Sequence, residues 1–131
     1  MTLVFDTSAL SNLLNYDDTI MREVTKVKYD RYIVPLSTDA ELRYGFANGN
    51  RQENNLSDYE GLKKTLNLIV INPNQDTSSI YAGLAAWCRQ NGKSLSNNDI
   101  WIAATCVQVG GELITLDEDF KYLPQIRLVD V

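Results

Sequence analysis

Carboxylates dominate the chemistry this chain can offer. Asp6 ends a short apolar run, Leu3-Val4-Phe5, and Glu41 lies early in the helical pattern that follows a second such run. Asp99 opens a later helical pattern, and Asp117, with Asp119 close behind, follows Leu113-Ile114. The chain has no histidine, which excludes His-based triads, His-ligated zinc and His-Asp relays. Its two cysteines, Cys88 and Cys106, are too few for a four-thiolate zinc site or a disulfide scaffold, and both sit in apolar helical runs that read as buried free thiols. Oxygen ligands without imidazole or thiolate suit a hard divalent cation, Mg²⁺ or Mn²⁺. Two such ions about 4 Å apart, held by four acids, match hydrolysis of a phosphodiester by metal-activated water. Nucleotide chemistry of other kinds finds no support. No GxGxxG follows Phe5, and no GxxxxGK[ST] occurs anywhere.

That chemistry requires elements that gather the acids. Leu3-Val4-Phe5, Tyr32-Ile33-Val34 (closing at Pro35), Leu68-Ile69-Val70-Ile71 (closing at Asn72-Pro73) and Leu113-Ile114 (after Gly110-Gly111) read as strands. Leu128-Val129 reads as a short edge strand. Continuous apolar runs suit strands covered on both faces. Helical periodicity appears over 7–15, 19–29, 37–48, 51–66 (with a weak break at Gly61), 76–91 and 97–109. The last is apolar nearly all round and marks a central, covered helix. Strands alternating with helices predict an α/β fold: a three-layer α/β/α sandwich on a parallel sheet of about five strands, as one domain over residues 1–131.

Open parallel sheets bind ligands outside the carboxyl ends of their strands. Asp6 ends the first strand, and Asp117 and Asp119 follow the fourth. Glu41 is placed in the first turn of the helix after the second strand, and Asp99 in the first turn of the helix feeding the fourth. All therefore share one rim, where no Lys or Arg takes a matching position. Each acid alone has an ordinary explanation. Thr38 to Glu41 and Ser96 to Asp99 have capping-box spacing, Asp6 could cap a helix, and Asp117 could be a turn residue. Gathered without cations they repel, which costs stability unless a cation fills the gap.

Composition agrees with such a site. Seventeen acids against twelve basic residues give a formal charge of −5, which argues against holding nucleic acid by bulk charge but not against an enzyme whose site collects the acids. No signal peptide is visible in MTLVFDTSAL and no apolar run is long enough for a membrane span, so a soluble protein of a reducing, cytoplasmic compartment is expected. For substrate grip the candidates are Arg43, Arg51, Lys63, Lys64 and the group Arg22, Lys26, Lys28 and Arg31, most of them solvated helix charges; Arg43, two residues after Glu41, is preferred. Trp87 and Trp101 read as core residues rather than base-stacking platforms.

At Val4-Phe5-Asp6-Thr7-Ser8, Ala40-Glu41-Leu42-Arg43-Tyr44-Gly45, Asn98-Asp99-Ile100-Trp101-Ile102-Ala103-Ala104 and Leu113-Ile114-Thr115-Leu116-Asp117-Glu118-Asp119-Phe120 the chain resembles the PIN-domain nucleases, most closely the VapC-type ribonuclease toxins of toxin-antitoxin pairs. The four pieces stand in the family's order and span almost the whole chain. The resemblance implies strand order 3-2-1-4-5, divalent-metal endoribonuclease activity, homodimerisation and a cognate antitoxin. It implies catalytic and metal-binding roles for Asp6, Glu41, Asp99 and Asp117, with supporting hydroxyls at Thr7 and Thr115, the latter holding the last acid's loop. The family's last acid position varies. Asp117 is nearer the strand end and is preferred, while Asp119 either serves a second metal or faces solvent. The competing reading is a catalytically idle PIN-like module that only binds an antitoxin or RNA. An aspartate-based phosphatase using Asp6 as nucleophile is disfavoured, because such enzymes usually carry a second Asp two residues on, where Ser8 stands here.

Overall fold

Strand β1 (Thr2–Phe5) occupies the middle of the sheet because its side chains are apolar on both faces. Leu3 and Phe5 point to one side and Val4 to the other, and all three are fully buried. The computed structural model describes residues 1–15 and 17–131. β1 is followed by α1 (Thr7–Leu14), α2 (Asp18–Lys26), β2 (Arg31–Pro35), α3 (Leu36–Ala47), α4 (Gln52–Leu66) and β3 (Leu68–Ile71). Then come α5 (Gln75–Gln90), α6 (Asn97–Val109), β4 (Glu112–Ile114), a 3-10 helix (Glu118–Tyr122) and β5 (Arg127–Leu128). The sheet is parallel throughout, in the order β3-β2-β1-β4-β5.

Side-chain alternation across the sheet builds two cores. Leu3 and Phe5 pack with Leu10 and Leu13 of α1, Ile20 and Val24 of α2, Leu42 of α3 and Tyr59 of α4. Val4, Ile33 and Leu113 pack on the opposite face with Leu84 of α5, Ile100, Ile102 and Cys106 of α6, and Phe120. Each fully buried aliphatic or aromatic side chain contributes about 1.5–3 kcal/mol, which is why a sheet of such short strands holds. The three-layer sandwich is therefore the one the alternating pattern predicts. Cys88 and Cys106 are buried free thiols, and burial pushes the Cys106 thiol up to about 12. No helix among the described residues is long and apolar enough to cross a membrane.

Helix boundaries follow local chemistry; α2 ends at Lys26, short of residue 29 as read from the sequence, and two further differences stand out. Asn74 caps α5 in a reciprocal capping box with Thr77, and Ser96 caps α6 by accepting from the Asp99 N–H. Gly110 ends α6 at φ +64°, and a Cβ on Gly111 would lie 2.9 Å from Val4 Cγ2, so only glycine lets the chain drop straight into β4 beside β1. Thr38, however, is no cap. α3 already begins at Leu36, directly after Pro35, so Thr38 lies inside the helix and its buried hydroxyl donates to the Phe5 carbonyl, 3.2 Å away. Glu41 accordingly falls in the second turn of α3 rather than the first. The second difference is Gly61, where α4 continues without a break because an exposed glycine weakens a helix without stopping it.

Candidate active site

The parallel register delivers the acids to one edge. β1 and β4 run side by side with Phe5 opposite Ile114, and the Asp6 N–H extends the pairing to the Ile114 carbonyl. One step beyond the strand ends, Asp6 therefore meets Thr115. Asp6 caps α1 by accepting from the Ala9 N–H at 2.9 Å, and it is only 3% exposed. Its carboxylate also accepts from Ser8 Oγ, at 2.8 Å and 2.9 Å from its two oxygens, and from Thr115 Oγ1 at 2.5 Å. Burial pushes the Asp6 carboxyl above its usual range, Asp117 adds to that push, and the three hydrogen bonds oppose it.

Asp99, Asp117 and Asp119 converge further. Each places a carboxylate oxygen within 4.8 Å of the others, Asp99 and Asp117 half-buried and Asp119 exposed. Asp99 projects from the first turn of α6, while Asp117 caps the 3-10 helix by accepting from the Asp119 N–H at 2.9 Å. Capping and clustering thus coexist at the same residues. Burial lifts the Asp99 carboxyl to about 6, helped by the negative charges of Asp117, Glu41 and Asp6 and opposed by its hydrogen bond with Ser96. Glu41 approaches from α3, oriented by Thr7 Oγ1, which donates to its Oε1 at 2.8 Å. Thr115 Oγ1 accepts from the Asp117 N–H at 2.9 Å.

Among the described residues none of these five acids takes part in an ion pair. Several basic side chains are engaged elsewhere. Arg43 turns to α4, its Nε donating to Asp39 Oδ2 at 2.9 Å and its Nη2 lying 3.7 Å from Glu60. Lys63 pairs with Glu60 at 3.1 Å, Arg22 with Asp18 and Lys26 with Glu23. Asp99, Asp117 and Asp119, an all-oxygen donor set close enough to share a ligand and without an ion pair among the described residues, fit a hard divalent ion. Thr7 and Ser11 line a cavity of about 300 Å³ between α1, α3 and α4 that reaches Glu41, Phe46 and Asp58. Two features escaped the sequence reading. Ser8 binds Asp6 and also accepts from the Leu116 N–H at 3.0 Å. Asp39, 8% exposed, accepts from Tyr59 Oη at 2.8 Å. A Ser two residues after a helix-capping Asp was a usable signal for the first; nothing local announced the second. Trp101, read as core, is only partly buried and stacks on Tyr81 with ring centres 4.5 Å apart.

Comparison with known proteins agrees with this architecture. The PIN domain family matches residues 3–125. Ribonuclease VapC1 of Haemophilus influenzae (strain R2866) is 27% identical over 133 residues, covering 99% of this chain and 98% of the relative. Among solved structures, VapBC-1 from nontypeable H. influenzae superposes with a TM-score of 0.86 at 25% identity, over 99% of this chain and 98% of that one. VapBC2 from Rickettsia felis, bound to a DNA fragment from its promoter, reaches a TM-score of 0.91 at 22% identity, over 100% and 99%. Mycobacterium tuberculosis VapC20, a sarcin-ricin loop cleaving toxin, reaches 0.71 at 18% identity over 98% of both chains. With its sheet order, its edge of carboxylates and a match over nearly its whole length, the chain belongs to the PIN domain family.

Proposed function

We propose that this protein is a divalent-metal-dependent endoribonuclease acting as the toxin of a toxin-antitoxin pair. The observation that carries the reading is the convergence of Asp99, Asp117 and Asp119 at one sheet edge, within electrostatic reach of Glu41 and Asp6 and with no ion pair to any of the five among the described residues. Likeness to VapC1 and to toxin-antitoxin complexes supports it. Asp99, Asp117 and Asp119 would hold Mg²⁺ or Mn²⁺, with Asp6 and Glu41 completing the site. When bound, the ion supplies positive charge against the scissile phosphate and activates water. The chain's own contribution is to fix the carboxylates beforehand: Thr7 orients Glu41, while Ser8 and Thr115 hold Asp6. Arg43 is half-exposed, so part of its guanidinium remains available to a backbone phosphate beside its contact with Asp39.

The partners proposed are an RNA with a single-stranded loop that lets the strand enter the site, a second copy of the chain, and an antitoxin. Because free toxin damages its host, the antitoxin should cover the acidic edge and place a basic side chain among the carboxylates. A complex leaving that edge open with activity unchanged would overturn the antitoxin part. The activity itself is tested by incubating purified protein with total RNA in Mn²⁺ or EDTA. Cleavage should require the metal and vanish in Asp6→Asn, Glu41→Gln and Asp99→Asn, because the amide keeps the shape and loses the charge. Undiminished cleavage by Asp99→Asn would refute the assignment, and a wild type that binds RNA without cutting it would establish the idle-module reading instead.

A further inference from the structure

The tripeptide Asp6-Thr7-Ser8 at the start of α1 sends its side chains to three places. Asp6 faces the site, Thr7 crosses to Glu41 on α3, and Ser8 reaches the loop after β4. We infer that Ser8 is a positioning residue that locks the loop carrying Asp117 and Asp119 to the Asp6 carboxylate, and so sets the geometry of the metal centre; the inference rests on the metal-dependent reading above. Its Oγ–H donates to Asp6, and its lone pair accepts from the Leu116 N–H at 3.0 Å. Thr115 repeats the pattern one residue on, donating to Asp6 Oδ2 and accepting from the Asp117 N–H at 2.9 Å. The two hydroxyls lie 3.3 Å apart. Two consecutive backbone amides of the loop are thus tied through two hydroxyls to one buried carboxylate.

The two hydroxyls are not equivalent. Thr115 belongs to the loop it holds, whereas Ser8 fastens that loop from α1. Leu116 is 44% exposed, so apolar packing does little to hold the chain there and hydrogen bonds carry the placement. Removing the Ser8 hydroxyl frees the Leu116 N–H and lets the following acids drift from Asp6. It leaves α1 its cap, because the Asp6 carboxylate still accepts from the Ala9 N–H. A helix-stabilising role and a metal-positioning role therefore separate: the first lowers the melting temperature in EDTA, and the second lowers metal affinity.

The test is calorimetric titration of the full chain with Mn²⁺, for wild type, Ser8→Ala, Ser8→Cys and Ser8→Thr, alongside thermal melts in EDTA. Loss of a group that orients metal ligands typically weakens binding about 10–100-fold, and Ser8→Ala should fall in that range. Ser8→Cys, a weaker donor and acceptor of similar shape, should lie between it and wild type, and Ser8→Thr, which keeps the hydroxyl, should bind nearly as wild type. In EDTA, Ser8→Thr should melt close to wild type and Ser8→Ala somewhat lower, since it loses hydrogen bonds to a buried carboxylate; the loss of metal affinity, not the melt, is what identifies the positioning role. Wild-type affinity in Ser8→Ala, or affinity in Ser8→Thr as poor as in Ser8→Ala, overturns the role of Ser8 alone. A wild type that takes up no Mn²⁺ brings down the metal reading of the site, and this inference with it.

Discussion

Asp99 is the carboxyl on which burial and the charges of neighbouring acids weigh most visibly. Its ordinary value of 3.8 is lifted to about 6, first by burial and then by the charges of Asp117, Glu41 and Asp6. The folded protein therefore binds a proton at Asp99 more tightly than the unfolded chain does. The resulting stabilisation is fully present below about pH 4 and is lost as pH rises through about 6. In EDTA, Asp99→Asn should melt above wild type at pH 7.5, and the two should converge toward pH 4; equal melting at both values would show that Asp99 feels no such repulsion. The α6 cap is retained in this comparison, because the Ser96 hydroxyl oxygen accepts from the Asp99 backbone N–H, which the amide substitution leaves in place. If the proposed metal-dependent activity holds, protons and metal compete for the same oxygens, so Mn²⁺ affinity and cleavage rate should both decline below about pH 6.

At the scale of elements, α3 is fixed by contacts on several sides. Thr38 ties it to the end of β1, Thr7 reaches Glu41 from α1, and Asp39 clamps it to α4 through Tyr59 and Lys63, while Arg43, held by Asp39 within α3, reaches Glu60 of α4. Lys63 Nζ lies 4.3 Å from the Tyr59 ring centre, adding a cation–π contact to the clamp. Removing the tyrosine hydroxyl leaves Asp39 with its basic partners, so Tyr59→Phe should destabilise by about 1 kcal/mol. Asp39→Ala strands a buried Tyr59 hydroxyl as well as the cations and should be the worse of the two, by about a further 1–3 kcal/mol. Denaturant melts measure both, and a harmless Asp39→Ala would mean the clamp is ornamental. Gly61 gives the opposite sign. It is an exposed mid-helix glycine where a Cβ meets nothing within 4 Å, so Gly61→Ala should stabilise by about 0.5–1 kcal/mol.

For the molecule as a whole, the acids at one edge repel one another and are a liability that a bound cation would remove. On the proposed metal-dependent reading, Mg²⁺ or Mn²⁺ would bind the folded site and hardly the unfolded chain, stabilising the fold by about 2.7 kcal/mol at a hundredfold excess over the dissociation constant. Wild type should therefore melt higher in millimolar Mn²⁺ than in EDTA at matched ionic strength. Asp117→Asn keeps a side chain able to cap the 3-10 helix while shedding one negative charge. It should melt at or above wild type in EDTA and gain less from metal. If the metal leaves the wild-type melt unmoved, the carboxylates form no preassembled site.

The chain's own pattern determined the strands, the helices and the α/β class, because runs such as Leu3-Val4-Phe5 and Leu68-Ile69-Val70-Ile71 are apolar on both faces and the stretches between them repeat with helical spacing. It also determined which residues could bind a metal, since a chain without histidine has only oxygen donors to gather in number. Position along the chain says which strand end an acid follows, and so which edge it shares. Tertiary structure alone decided how that edge is assembled. The β1–β4 register opposes Asp6 to Thr115 and lets Ser8 reach an amide 108 positions away. The turn into the 3-10 helix brings Asp119 beside Asp99 and Asp117. Arg43, adjacent in sequence to the site, is drawn into the α3–α4 clamp by Asp39 one helical turn before it. Periodicity is a property of neighbours along the chain, whereas these contacts depend on distances between elements, which only the packed sheet and helices set.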